Sequence, residues 1–234
     1  MLLVLDPINL TEISMNNGYA CFLDQLDQAI AAYPTLRKVG VDDRVVLAGC
    51  LPVIDRDGRL WEEYEVEIHA SEQFPHRFPY LYETGGKIPR IGDWHVNEDT
   101  FTCCTTIPAE EILRCKKGIT VTEYIDEQVM PYLFNQTHRR VEGYYVNGEY
   151  AHGVKGLLEY YSHVLGTDGS PGVTVRQLLY IAENTCPPRT SYCFCGSGLK
   201  YRHCHKKAFQ MLQEVGVEIL RMNALMIGRR YGVL

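Results

Sequence analysis

The 234 residues are 46% apolar and 22% charged, enough for a buried core and too apolar for a disordered or fibrous chain. Lys and Arg number 23 against 29 Asp and Glu, so the net charge of −6 offers no overall positive field for a nucleic-acid backbone. Nine cysteines are an odd count in a chain too long to need a disulfide framework. No basic segment precedes Asp6, so the expectation is a reduced, cytoplasmic protein with no secretory leader.

Taken in chain order, Phe22, Leu23, Leu26, Ala29, Ile30 and Tyr33 recur every three or four residues and predict an amphipathic helix over 18–33, closed by Pro34. Residues 45–54 read as a strand; as the longest apolar run they make only half a membrane span, so no membrane is expected. Asp55–Gly58 is a turn. Tyr64, Val66, Ile68 and Ala70 then alternate with Glu63, Glu65, Glu67 and His69, a half-buried antiparallel strand. From Phe74 to Pro108 regular patterning stops, and prolines, glycines and aromatics mark a long loop region of the functional kind. Thr120 with Glu123 has the form of a capping box opening a helix through Leu133, with Pro131 a kink or stop. A short helix, 157–165, precedes the linker candidate Gly166–Gly172. Beyond it come a helix over 175–184, a cysteine cluster, and a final helix from Lys206 to about Ile227. The expected division is therefore residues 1–165 and residues 173–234, the second too short for a good core of its own.

That cluster reads Cys-x-Cys, eight residues, Cys-His: Cys193, Cys195, Cys204 and His205, with His203 a competing imidazole. Three thiolates and one imidazole suit a tetrahedral structural zinc, and Gly196-Ser197-Gly198 supplies the turn that brings the pairs together. Bound metal would supply the stability a small core lacks. Residues 192–205 resemble the SEC-C motif, a short zinc-binding module. Its pattern ends in two adjacent ligands, which favours His205 over His203.

The second cysteine pair, Cys103-Cys104, has no further thiols at metal spacing nearby. With His95 and Asn97 upstream, it admits a nucleophile beside a polar group for an oxyanion. The first helix, the hairpin meander and Phe74-Pro75-His76-Arg77-Phe78-Pro79 resemble the ubiquitin-conjugating (E2) fold over roughly residues 18–133. His95-Val96-Asn97 stands for that family's His-Pro-Asn, most like its prokaryotic branch. Thr100 stands where the family has glycine, and Cys104 where leucine follows the nucleophile. The resemblance implies an α+β, UBC-like antiparallel meander sheet flanked by helices, followed by a small helical zinc-binding module. It implies Cys103 as the thioester-forming nucleophile, Asn97 as the oxyanion or loop-stabilising amide, and His95 as a structural histidine. It also implies three partners: an E1-like activating enzyme, a ubiquitin-like or other glycine-ending protein, and a target lysine, in a bacterial antiphage-type system. A catalytically silent E2-like adaptor is the alternative.

Overall fold

The computed structural model describes residues 10–146 and 150–234, and the chain separates into two compact units. Unit 1 holds residues up to Thr106 together with Arg114–Asn147; unit 2 holds Ile107–Leu113 and Gly148–Leu234. The architecture is α+β, with one four-stranded sheet and eight α-helices among the described residues.

In unit 1, α1 (Leu10–Ala32) begins earlier than its apolar periodicity suggested, and ends before Pro34 as expected. The sheet is an antiparallel meander in the order β1 (Leu36–Val41), β2 (Arg44–Ile54), β3 (Leu60–His69), β4 (Tyr80–Glu83). Two of these strands are additions to the sequence reading. In β1, Arg37, Lys38 and Gly40 mask the period of two. Its link to β2 is a two-residue turn in which Asp42 (φ 44°) and Asp43 (φ 62°) both take positive φ, the geometry that matches strand twist. The four residues of β4 are too short to announce themselves inside the proline-rich region, and they are specified by pairing with β3.

The alternation in β3 is realised: Tyr64, Val66 and Ile68 are buried, and the register sets Leu51 opposite Tyr64 and Leu47 opposite Ile68. Gly49 in β2 is required by close approach. A Cβ there would lie 2.2 Å from the Thr35 carbonyl oxygen, and its φ of 152° is one that side chains rarely adopt.

The capping box forms, with the Glu123 N–H donating to Thr120 Oγ1 (3.1 Å) and the Thr120 N–H donating to the Glu123 carboxylate (2.8 Å). It opens α3 (Val121–Tyr124), which passes through a π turn at 125–129 into α4 (Met130–Glu142). Pro131 therefore neither stops nor breaks the run. Having no N–H to give the preceding turn, it sits at the start of α4, just after the widened turn. Phe22, Leu26, Leu47, Tyr64, Tyr124 and Leu133 form the centre of this unit's core.

Unit 2 carries α2 (Pro108–Cys115) as far as Leu113, then α5 (Val154–Leu165), α6 (Pro171–Glu183), α7 (Lys206–Val215) and α8 (Val217–Tyr231). The division does not fall at residues 166–172, where the sequence reading set it. Residues 166–170 form the tight turn between α5 and α6, and the buried Thr167 hydroxyl bonds Ser162 (2.9 Å) and Thr174 (2.6 Å). With α5 included, the unit does own a core: Leu158, Tyr161, Leu178, Phe209, Leu220 and Ile227 are among its buried residues. The single final helix of the sequence reading is two, parted at Gly216 (φ 101°). No helix among the described residues is long and apolar enough to cross a membrane.

Candidate metal centre and thiol loop

Between α6 and α7 the chain makes a knuckle with almost no regular structure. Tyr192 and Lys200 form an isolated antiparallel bridge, and the Cys193 N–H donates to the Leu199 carbonyl (2.8 Å). Inside that loop Gly196 (φ 81°) and Gly198 (φ 76°) take the left-handed backbone that folds Cys193 and Cys195 back toward the second pair. Tyr201 is fully buried against Phe209, and Phe194 stacks on Tyr180 at 4.6 Å. These apolar anchors fix the knuckle on the helices. Cys204 follows a 3₁₀ turn, and His205 is the residue that opens α7.

The result is one cluster. The ligand atoms of Cys193, Cys195, Cys204 and His205 all lie within 4.8 Å of one another. Individual separations are 3.6 Å for Cys195 Sγ to Cys204 Sγ, 3.3 Å for Cys193 Sγ to His205 Nδ1, and 3.1 Å for Cys204 Sγ to His205 Nδ1. A tetrahedral zinc with Zn–S of about 2.3 Å and Zn–N of about 2.0 Å calls for S···S near ~3.8 Å and S···N near ~3.5 Å. The donor set therefore fits zinc in kind, number and spacing. A further contact supports it: His205 Nε2 donates its N–H to the Leu165 carbonyl oxygen at 2.8 Å. That bond puts the proton on Nε2 and leaves the Nδ1 lone pair facing the thiols, the arrangement that orients metal-bound histidines. His203 is not in the cluster; its Nε2 accepts from Arg202 at 2.9 Å. Four protein ligands leave no position for water, so a metal here is structural.

Residues 189–207 match the family model of the SEC-C motif. No curated protein and no solved structure matches the chain. The SEC-C motif and the Cys/His cluster thus coincide, and the other candidate residues rest on geometry.

Those residues lie in unit 1, between β4 and α2. A 3₁₀ turn at Gly92–Trp94 is closed by His95 in the left-handed region (φ 52°, ψ 42°). A small hairpin follows: the Asn97 N–H donates to the Thr102 carbonyl (2.9 Å) and the Cys104 N–H to the His95 carbonyl (2.7 Å). The loop tip is tied by Asn97, whose Oδ1 accepts from the N–H groups of Asp99 (3.0 Å) and Thr100 (3.2 Å). The Glu98 carboxylate accepts from the Gly92 N–H (3.0 Å). The left-handed residue of the tip is Phe101 (φ 59°), one position beyond Thr100, where the resemblance put a glycine.

The hairpin is held from below by α4. Tyr132 OH donates to the Trp94 and His95 carbonyls (3.4 and 3.3 Å), and Gln136 Nε2 donates to the Trp94 carbonyl (3.1 Å). Arg139 bonds the Asp93 carbonyl and carboxylate and the Tyr145 hydroxyl, and its guanidinium lies over the rings of Trp94 (4.3 Å) and Tyr145 (4.9 Å). The His95 ring meets Tyr145 edge-on at 5.5 Å. Gln136 and Arg139 escaped the sequence reading, although with Tyr132 they form one stripe at helical spacing.

The two thiols differ in surroundings. Cys103 packs against the unit 1 core. Burial pushes its thiol up to about 12, despite a hydrogen bond with the Tyr132 hydroxyl and one from the Glu83 N–H. Burial also raises Cys104, opposed by a hydrogen bond from the Asn97 N–H.

Proposed function

We propose that this chain is an E2-like carrier: it takes the C-terminal glycyl group of a ubiquitin-like or other glycine-ending protein from an E1-like enzyme as a cysteine thioester, and passes it to a lysine. The observation that carries this reading is the hairpin, which sets His95-Val96-Asn97 against Cys103-Cys104. The meander of four antiparallel strands beneath α1 and α4 agrees with the UBC-like layout that the resemblance implies.

The residue chemistry suits acyl transfer. Exchange between thiols needs no change in bond type, and a thiol leaves readily when an amine attacks. With its Oδ1 committed to the loop, Asn97 has its NH₂ end left to donate to a developing oxyanion, a contribution typically of a few kcal/mol. Burial keeps both loop thiols protonated near neutral pH, so ionisation has to accompany the approach of the donor thioester. The SEC-C module serves as a metal-stabilised platform, and its zinc takes no part in the transfer.

The test is incubation of the intact protein with candidate E1-like enzymes and glycine-ending modifiers, ATP and Mg²⁺, followed by non-reducing electrophoresis. A thiol-labile adduct, absent from the Cys103→Ala/Cys104→Ala double variant, is the expected result. No adduct with a partner pair proven to form its own E1 thioester would refute the carrier reading.

A further inference from the structure

We infer that the reacting thiol of this loop is Cys104, and that Cys103 is its inward-facing neighbour. The inference rests on the carrier reading only for what the thiol accepts; the ranking of the two thiols follows from the hairpin itself.

The register decides it. Val96 and Cys103 are opposite one another, and the hydrogen bonds run from Asn97 to Thr102 and from Cys104 to His95, one residue outward on either side. This is the non-hydrogen-bonded type of antiparallel pair, whose two side chains stand close together on one face. Val96 is 3% exposed, so that face is the core. Cys103 shares it, and the Cys103 N–H reaches the Leu81 carbonyl of β4 (2.8 Å) while its thiol takes the Tyr132 hydroxyl. Successive residues of an extended segment point to opposite faces. Cys104 therefore turns away from the core, to the side that Asn97 also takes, with the Asn97 N–H against its sulfur. Taken as whole residues both cysteines are half-buried. The difference lies in which way the sulfur points, and the partners of each sulfur settle that.

The step would run as follows. The Cys104 thiolate attacks the glycyl carbonyl carbon of a donor thioester. Its S–C bond forms as the donor C–S bond breaks, and the proton lost by Cys104 ends on the departing thiol.

Two measurements on the intact, metal-loaded protein test this. The first is brief labelling with iodoacetamide, read by fragmentation of the tryptic peptide 91–114, which holds both thiols and no other cysteine. Cys104 should label at least about tenfold faster than Cys103, with the two equal after denaturation. The second uses the benzyl thioester of N-acetylglycine, which needs no E1-like enzyme. Wild type and Cys103→Ser, which keeps a hydroxyl for Tyr132, should gain the acetylglycyl mass, and Cys104→Ala should not gain it on this peptide. Faster labelling of Cys103, equal native rates, or acyl transfer that survives Cys104→Ala and is lost in Cys103→Ser would overturn the assignment. If labelling ranks Cys104 first but wild type gains no acyl group, the thiol ranking stands and it is the carrier reading that fails.

Discussion

Arg139 is the place to test how the thiol loop is held. Its side chain is 18% exposed, stacked between Trp94 and Tyr145, and bonded to Asp93 and the Tyr145 hydroxyl. Substitution to Met keeps the apolar stem and removes the planar head. The ion pair itself adds little, because the Asp93 carboxylate is 76% exposed and well screened. Two cation–π contacts at about 0.5–1 kcal/mol each, plus the loss of charge-assisted bonds to the Asp93 carbonyl and Tyr145 at about 1 kcal/mol or slightly more, give roughly 2–3 kcal/mol. The reporters are the amides of Asn97 and Cys104, whose hydrogen bonds define the hairpin. Their exchange should accelerate about 30- to 160-fold, at 1.36 kcal/mol per decade. Arg139→Lys retains the charge but neither the fork nor the flat stacking surface, and should recover less than half of the lost protection. An acceleration below about threefold in the Met variant, or full recovery in the Lys variant, would show that the clamp reasoning is wrong.

Three further outcomes are expected. In Cys193→Ser/Cys195→Ser protein, bound zinc should fall from about one equivalent to under a tenth, and unit 2 should melt earlier; unchanged metal content would exclude the ligand set. Gly49→Ala forces a methyl group to within 2.2 Å of the Thr35 carbonyl and should cost at least about 2 kcal/mol in denaturant unfolding, a value near zero being incompatible with the β1–β2 geometry. Glu62 is held down to about 2 by the Lys87 ammonium, and after it by the Glu63 N–H and Arg140. A depressed carboxylate stabilises the fold above its unfolded value and loses that contribution as pH falls from about 4.5 toward 2, so Glu62→Gln should flatten that window by roughly 1–2 kcal/mol, after discounting the part-exposed Lys87 and Arg140. An unaltered acid-unfolding curve would contradict it.

What could be read from the sequence was whatever is encoded by local period or by ligand spacing. β3 alternates because one face is buried, α1 repeats every three or four residues, Thr120 and Glu123 cap α3, and the metal ligands need only be close in sequence to be close in space. The strands that escaped, β1 and β4, owe their conformation to their pairing partners. Pairing is a tertiary fact, and charged or short strands carry little trace of it. The same holds for the domain division. Gly166-Thr167-Asp168-Gly169 has linker composition, yet the Thr167 hydroxyl is buried in a network with Ser162 and Thr174, and no count of glycines reports that. The thiol loop could be proposed as a site from its residue types but not described as a geometry, because which face each of two adjacent cysteines takes depends on the pairing of Val96 with Cys103.

The two irregular segments of this protein solve one physical problem in different ways. A stretch without helix or sheet leaves backbone groups unpaired and conformational entropy to be offset, and it can hold functional side chains only if something external fixes it. In the knuckle at 186–205 the fixing agents are a few buried aromatics and a Cys/His cluster whose donors fit zinc. In the loop at 91–104 they are three side chains of one helix, Tyr132, Gln136 and Arg139, which take the carbonyls of His95, Trp94 and Asp93. No metal enters that second arrangement, and it follows that chelation should loosen the knuckle while leaving the exchange rates of Asn97 and Cys104 unchanged. The contrast also explains why the knuckle could be recognised from four residues in thirteen, whereas the loop's supports, about forty residues downstream in the chain, could be recognised only once the fold had brought them together.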